Sequence, residues 1–182
     1  MADEKVVLDG DDMRRTLVRI AHEIVENGGD PDALALVGIH RRGAVLAGRL
    51  QELLSRLHGI DVPLGDLDIT LYRDDLSTIA PNPVVKATRF PVAPDGRIVV
   101  LCDDVLYTGR TVRAALDALV DYGRPRAVEL AVLIDRGHRE LPIQADVVGK
   151  TVPTAANEVI KVAFASTDDG KETVQILERT GA

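Results

Sequence analysis

The sequence predicts an α/β fold with a mostly parallel central sheet flanked by helices, in one domain spanning residues 1–182. Three observations carry that expectation. The unbroken apolar run Ile98–Cys102, the apolar stretch Leu34–Ile39 and the mostly apolar stretch Val128–Ile134 suit strands buried on both faces of a parallel sheet. Segments of helical periodicity alternate with them, as βαβ units require. The polar loops that carry chemistry follow the carboxyl ends of these strands, where open α/β sheets bind their ligands. A chain of 182 residues, 46% apolar, is long enough for a single core.

Taken in order, Lys5–Leu8 reads as a short strand, and Asp9 or Asp11 is placed to cap a helix running to about Glu26. Met13, Leu17, Ile20, Ala21 and Ile24 form its buried face. Arg15, Arg19, His22 and Glu26 line another face, with Val18 among them. That face is either a solvated side or a basic patch for RNA, and the pattern alone favours the first. Asn27–Pro31 is a loop. Leu34–Ile39 ends in His40-Arg41-Arg42-Gly43, and a helix follows with Leu46, Leu50, Leu53, Leu54 and Leu57 on one side. Leu67, Ile69 and Leu71 alternate with Asp68, Thr70 and Tyr72, which predicts a half-exposed strand. Arg73-Asp74-Asp75 opens a long polar segment, and Val84–Phe90 returns as an edge strand before Pro91. Long loops in compact domains are usually functional. After the central unit, Val128–Ile134 is a strand, Asp146–Gly149 is short and apolar, and Asp169-Gly170 is a hairpin signal between Ile160–Phe164 and Val174–Ile176.

The central unit reads RIVVLCDDVLYTGRTVRAALDALVDY, from Arg97 to Tyr122. A buried strand is followed at once by Asp103 and Asp104, then a loop at Val105–Tyr107, then Thr108-Gly109-Arg110-Thr111. Val112, Ala115, Leu116, Leu119 and Val120 recur at helical spacing until Gly123 and Pro125 stop the helix. The helix start offers unpaired N–H groups and a positive dipole end. Gly109 permits close backbone approach, and Thr108 and Thr111 add hydroxyl donors, which together make a phosphate cradle. Two adjacent carboxylates accept hydrogen bonds from neighbouring hydroxyls. The ligand that suits both ends is a ribose 5-phosphate. A phosphoacceptor or metal site would also use an acidic pair, and a Thr-Gly pair can be a mere cap. No GxxxxGK[ST] is present, and no GxGxxG follows a strand.

Composition narrows the partners. With 22 basic and 29 acidic residues the net charge is −7, so any nucleic-acid site must be a local basic patch. At 3% aromatic, base stacking on an aromatic platform is not the expected mode. The single cysteine, Cys102, lies in a buried strand and reads as packing, which suits a reducing compartment. The first ten residues are too polar for a signal peptide, and no apolar run approaches membrane-spanning length, so the expectation is a cytoplasmic protein without membrane partners.

VVLCDDVLYTGRT resembles the 5-phosphoribosyl-1-pyrophosphate (PRPP) motif of type I phosphoribosyltransferases. MRRTLVRIAHEI, LALVGIHRRG, LDITLYRDDL and LAVLIDRGHRELPI are similar to the PyrR family, pyrimidine operon regulators that are also uracil phosphoribosyltransferases. The resemblance runs from about Met13 to Pro153. It implies the type I phosphoribosyltransferase fold with a small hood, a flexible hairpin lid over Arg73–Arg89, and a homodimer or larger homo-oligomer. It implies the reaction of PRPP with uracil to give UMP and pyrophosphate, with Mg2+ carried by PRPP and water and no direct protein ligand. Asp103 and Asp104 would serve the ribose hydroxyls, and Thr108, Gly109, Arg110 and Thr111 the 5-phosphate. Arg41, Arg42 and Gly43 would serve pyrophosphate, joined by Arg73. The base would lie near Val105, Leu106, Tyr107 and the loop from Asp135 to Ile143. Asp103, Asp104, Arg42 and Arg73 carry the catalytic expectation. His40 and His138 are assigned no general-base role, because a loop histidine is more often a surface or RNA contact. The loop after Ile39 would hold a cis peptide at Arg41–Arg42, and Arg41 stands where the family usually has threonine.

The same resemblance implies binding to leader mRNA of the pyrimidine operon under control of UMP or UTP, through Arg15, Arg19, His22, Arg139 and Lys150. Val18, Gln144 and Ala155 depart from the family's threonine, arginine and serine. The alternative is a salvage uracil phosphoribosyltransferase with no RNA binding. A shared nucleotide site supports either role and does not rank them.

Overall fold

The computed structural model describes residues 4–74 and 88–179. Among the described residues there are eight strands, arranged in two sheets, and three α-helices. In chain order they are β1 Lys5–Leu8, α1 Gly10–Gly28, β2 Leu34–Ile39, α2 Arg42–His58, β3 Leu64–Leu67, β4 Ile98–Leu106, α3 Arg110–Leu119, β5 Ala127–Asp135, β6 Val147–Thr151, β7 Glu158–Ala163 and β8 Thr173–Glu178. The main sheet has the order β3-β2-β4-β5-β6 and every neighbouring pair is parallel. A smaller antiparallel sheet, β1-β8-β7, forms the hood.

The apolar strands are buried because helices cover both faces. Along β4, Ile98, Val100 and Cys102 pack toward α1 and α2, while Val99 and Leu101 pack toward α3. The α1 stripe of Met13, Leu17, Ile20, Ala21 and Ile24 is buried, and Phe164, Val174 and Ile176 of the hood join that same core. Asp9 caps α1 through a reciprocal capping box: its Oδ1 accepts from the Asp12 N–H at 2.8 Å, and Asp12 Oδ2 accepts from the Asp9 N–H at 3.4 Å. Asp169 and Gly170 both take positive φ in the loop between β7 and β8, as the hairpin signal requires.

Four local expectations change. The acidic pair does not follow the strand but lies inside it, because β5 runs alongside β4 and pairs Asp103 with Val132 and Leu106 with Asp135. The strand expected over Leu67–Tyr72 is instead β3, ending at Leu67, then a 3-10 turn at Thr70–Tyr72. Asp68 turns the chain, its Oδ1 accepting from the Thr70 N–H at 2.9 Å, and leaves Leu71 60% exposed. Leu57, expected on the buried side of α2, is 41% exposed. The cis peptide joins His40 to Arg41, one bond earlier than expected. Arg41 is already the helical N-cap of α2, so the Arg41–Arg42 bond carries helix geometry. Most of the expected lid, residues 75–87, lies outside the described residues, and of the expected edge strand Arg89 makes an isolated antiparallel bridge to Asp66.

Among the described residues, no helix is long and apolar enough to cross a membrane.

Candidate active site

The strand order reverses between β2 and β4: the chain leaves β2 for β3 on one side and returns to β4 on the other. That is a topological switch point, and the crevice beyond the carboxyl ends of such strands is where open α/β sheets bind ligands. A cavity of about 370 Å³ lies there, lined by His40, Arg41, Asp68, Ile69, Thr70, Arg73, Asp103, Asp104, Val105 and Thr111.

Two glycines let the elements close on this point. A Cβ on Gly43 would stand 2.4 Å from the Cys102 carbonyl oxygen, and one on Gly38 would stand 2.3 Å from the Ala44 Cα. The start of α2 therefore rests directly on the backbone of β2 and β4. The N-cap residues of α2 and α3, Arg41 and Gly109, supply no capping side chain, although the Thr108 Oγ1 accepts from the Arg110 N–H at 3.3 Å. Helix starts in this state present N–H groups and positive dipole ends to an anion. Gly109 has φ 91°, and a Cβ there would also meet Ile143 at 3.1 Å.

The acidic pair sits between these two helix starts. Asp103 is buried, and its Oδ1 accepts from the Asp104 N–H at 2.9 Å. Asp104 Oδ1 accepts from the Val105 N–H at 3.0 Å. Burial, and then the charge of Asp104, push the Asp103 carboxyl well above the usual carboxylate range. Burial likewise pushes the Cys102 thiol up, so Cys102 is a packing group and not a nucleophile.

The raised Asp103 carboxyl has a consequence for stability. Its folded value exceeds the unfolded one, so its contribution is fully present below about pH 3.8 and is lost as pH rises through the folded value. Asp103→Asn keeps the acceptor for the Asp104 N–H and removes the ionisation cost. The variant is expected to unfold at a higher temperature at neutral pH, by roughly 2–4 °C for each kcal/mol relieved, with the difference vanishing below about pH 3.8. Calorimetry across pH checks this, and equal midpoints at pH 7 would discount burial as the cause.

The structure divides the residues expected at the site. Arg41, Arg73, Asp103, Asp104, Val105 and Thr111 meet around the cavity. Arg42 does not: its guanidinium donates to the Val162 carbonyl at 2.7 Å and to Asp168 at 2.7 Å, tying α2 to the hood. Asp168 stays anionic for that role, because the Phe164 N–H and the Thr167 hydroxyl hold its carboxyl low. Arg110 is bridged between Glu140 and Asp74, each at 2.7 Å. Leu106 is buried, Tyr107 lies under the Arg136 guanidinium 4.1 Å from its ring centroid, and the Thr108 carbonyl accepts from the Glu140 and Leu141 N–H groups.

Sequence reasoning missed Asp68, Ile69 and Thr70, and left His40 without a task. His40 Nε2 is 2.8 Å from Asp66 Oδ1, and Arg89 holds the other oxygen of Asp66. Asp68 is buried at the cavity wall and accepts the Thr70 hydroxyl at 2.5 Å. A signal was available: Asp at the first position of Asp-Ile-Thr is a common turn former.

The basic residues expected on an RNA face also separate. Arg15 pairs with Asp12, and Arg19 bonds Glu23 and the carbonyls of Val148 and Gly149, joining α1 to β6 beside the exposed Lys150. Arg139 turns inward, donating to the carbonyls of Ile143 and Tyr107 and to Asp135 at 2.7, 2.8 and 2.6 Å. Its guanidinium is a clamp that ties the loop after β5 to the last residue of β5 and to the loop after β4, through the acceptors Ile143, Asp135 and Tyr107.

Comparison with known proteins agrees with this geometry. Residues 5–167 match the phosphoribosyl transferase domain family. The bifunctional protein PyrR of Pelotomaculum thermopropionicum is 59% identical over 179 residues, 98% of both chains. The PyrR of Deinococcus deserti is 57% identical over 177 residues, covering 97% of this chain and 96% of its own. Among solved structures, the hypoxanthine phosphoribosyltransferase of Trypanosoma cruzi in complex with its product IMP superposes with a TM-score of 0.73 at 15% identity, covering 97% of this chain and 95% of that one. That of Staphylococcus aureus gives 0.71 at 18% identity, covering 96% and 92%. These two likenesses establish the fold, the type I phosphoribosyltransferase fold, and the PyrR identities go further: the chain belongs to the phosphoribosyltransferase domain family and, within it, to the PyrR proteins.

Proposed function

We propose that the chain transfers the phosphoribosyl group of PRPP to uracil, releasing pyrophosphate and forming UMP, and that it also binds leader mRNA of pyrimidine genes in response to UMP or UTP. One observation carries the catalytic half: two helix starts, neither with a capping side chain on its N-cap residue, converge with an acidic pair on one cavity. The start of α3 suits the 5-phosphate, the start of α2 suits pyrophosphate, and the carboxylates suit the ribose hydroxyls between them. PRPP carries those three groups in that order.

Displacement at the anomeric carbon develops oxocarbenium-like charge. The protein's part is positioning and electrostatic complementarity. Asp103 and Asp104 accept from the ribose hydroxyls and fix the ring. N–H groups at Gly109–Thr111, with the hydroxyls of Thr108 and Thr111, hold the phosphate. Arg41 and Arg73 are guanidinium groups that line the cavity, and Arg42 contributes its backbone N–H while its side chain anchors the hood. Among the described residues no group of three or more His, Cys, Asp or Glu could hold a metal. The donors fit Mg2+ held on PRPP oxygens and water beside the carboxylates, where it would neutralise charge on the leaving pyrophosphate.

The RNA half rests on the surface shared by α1 and β6. With Arg139 turned inward, Arg15, Arg19 and Lys150 are its cations, with His22 one turn beyond Arg19. If all three cations meet phosphates, log K falls against log salt with a slope of about −2, from roughly 0.7 per single-stranded phosphate. Nucleotide in the cavity would favour an RNA-competent state by differential affinity. The reading includes self-association and a cytoplasmic setting; the buried, unpaired Cys102 suits a reducing compartment.

A radiolabelled uracil assay with PRPP and Mg2+, run beside an RNA mobility shift with and without UMP, tests both halves. Turnover without any shift would leave a salvage enzyme. Lys150→Ala is expected to flatten the salt slope by about 0.7 and leave turnover intact. Arg139→Ala is expected to cut turnover, because it frees the loop under which the base would sit. The opposite pattern would return Arg139 to the RNA face and sink the clamp.

A further inference from the structure

We propose that His22 and His58 form a two-imidazole site for a divalent transition metal of the Zn2+, Ni2+ or Cu2+ class, clipping α1 to the end of α2. His22 lies on α1, and His58 is the last residue of α2, fixed by the left-handed Gly59 that follows. Nδ1 of His22 and Nε2 of His58 are 2.9 Å apart, with the rings at 79° and their centroids at 4.8 Å. His22 is exposed and His58 half-buried, so both nitrogens are within reach of solvent.

Two imidazole nitrogens, each about 2.0–2.1 Å from a tetrahedral metal, stand roughly 3.3 Å from one another. The pair therefore needs to open by a few tenths of an ångström, and both rings must turn so that their lone pairs converge on the metal. In the metal-free protein one ring must donate and the other accept. When a metal binds, the donor ring changes tautomer, its proton passing through solvent to its other nitrogen, so that each neutral ring offers the metal a lone pair. Neutral imidazole suits Zn2+, Cu2+ and Ni2+, whereas Mg2+ selects oxygen and water. The site is thus chemically distinct from one that uses Mg2+ on PRPP.

No group of three or more His, Cys, Asp or Glu in metal-binding array occurs among the described residues, so two protein ligands are supplied and water completes the shell. Such a site is open and exchangeable. The other two histidines are occupied elsewhere: His40 by Asp66 at 2.8 Å, and His138 by the Thr154 carbonyl at 2.6 Å.

The test uses the full-length protein without an affinity tag, free of PRPP and nucleotide. Cu2+ is titrated with electron paramagnetic resonance, and Zn2+ and Ni2+ by calorimetry. The expected spectrum shows coupling to two imidazole nitrogens, and Ni2+ raises the thermal midpoint. His22→Ala and His58→Ala should each leave coupling to one nitrogen and weaken binding by at least the roughly 10–100-fold that loss of an outer-shell partner costs. Uracil turnover of His58→Ala, unchanged with PRPP and Mg2+, verifies that the variant is folded. Coupling to a single nitrogen in the unaltered protein, or a variant that binds as tightly as the unaltered protein, would overturn the site.

Discussion

Asp104→Asn is expected to lose about 10- to 150-fold in PRPP affinity while retaining the fold, the range that 1.5–3 kcal/mol for a hydrogen bond to a charged group sets. The substitution keeps the shape and the Oδ1 that accepts from the Val105 N–H at 3.0 Å. It removes the anionic acceptor facing the cavity and puts an amide donor next to a diol. Asp104 is half-buried, whereas Asp103 is buried with a carboxyl pushed upward. The loss therefore falls more on Asp104, the more open member of the pair. Calorimetric titration of PRPP with Mg2+ against the folded variant measures it, and unchanged affinity would sink the ribose assignment.

Gly43→Ala is expected to cost both stability and turnover. Its Cβ would stand 2.4 Å from the Cys102 carbonyl oxygen and 3.2 Å from the Asp103 Cα. Backbone lies on both sides of that contact, so α2 must lift from β4. Overpacking of this kind costs typically ~1–3 kcal/mol. The displaced segment is the one that presents Arg41 and the first N–H groups of α2 to the cavity. A misplacement of ~1 Å at reacting groups can cost ~100-fold in rate. Gly48→Ala is the control in the same helix, where the nearest atom, Leu64 Cδ2, is 4.0 Å away. That variant should gain about 0.5–1 kcal/mol from helix propensity. Urea unfolding and uracil turnover of both variants settle the comparison, and equal behaviour would remove the close approach as its cause.

The alternation of buried strands and amphipathic helices was legible because each apolar residue reports on one face of one element. Ile98–Cys102 and the Met13–Ile24 stripe needed no knowledge of their neighbours. The end of β4 was not legible. Apolar character stops at Cys102, but hydrogen bonding continues to Leu106 because β5 remains alongside. The alternation from Leu67 to Tyr72 imitated a strand until Asp68 supplied its own turn. The site's basic loop was legible as a loop, but the direction of each guanidinium was not. Arg42 is turned by acceptors about 120 residues away, on β7 and Asp168, and Arg139 by a carbonyl at Tyr107. Long side chains are steered by contacts distant in sequence, and periodicity holds no record of them.

The sheet order also bears on how such a chain can diverge. The cavity lies at the carboxyl ends of β2 and β4, whereas Arg19 and Lys150 sit at β6, the opposite edge, with β5 between. Val18 and Gln144 belong to α1 and to the stretch leading into β6, not to the strands that close the cavity. If that edge is the RNA surface proposed above, sequence can drift there and retune one recognition task without disturbing the other. The parallel sheet thus gives natural selection two separate dials, and β5, whose terminal loop Arg139 clamps, is where a change to one would first be felt by the other.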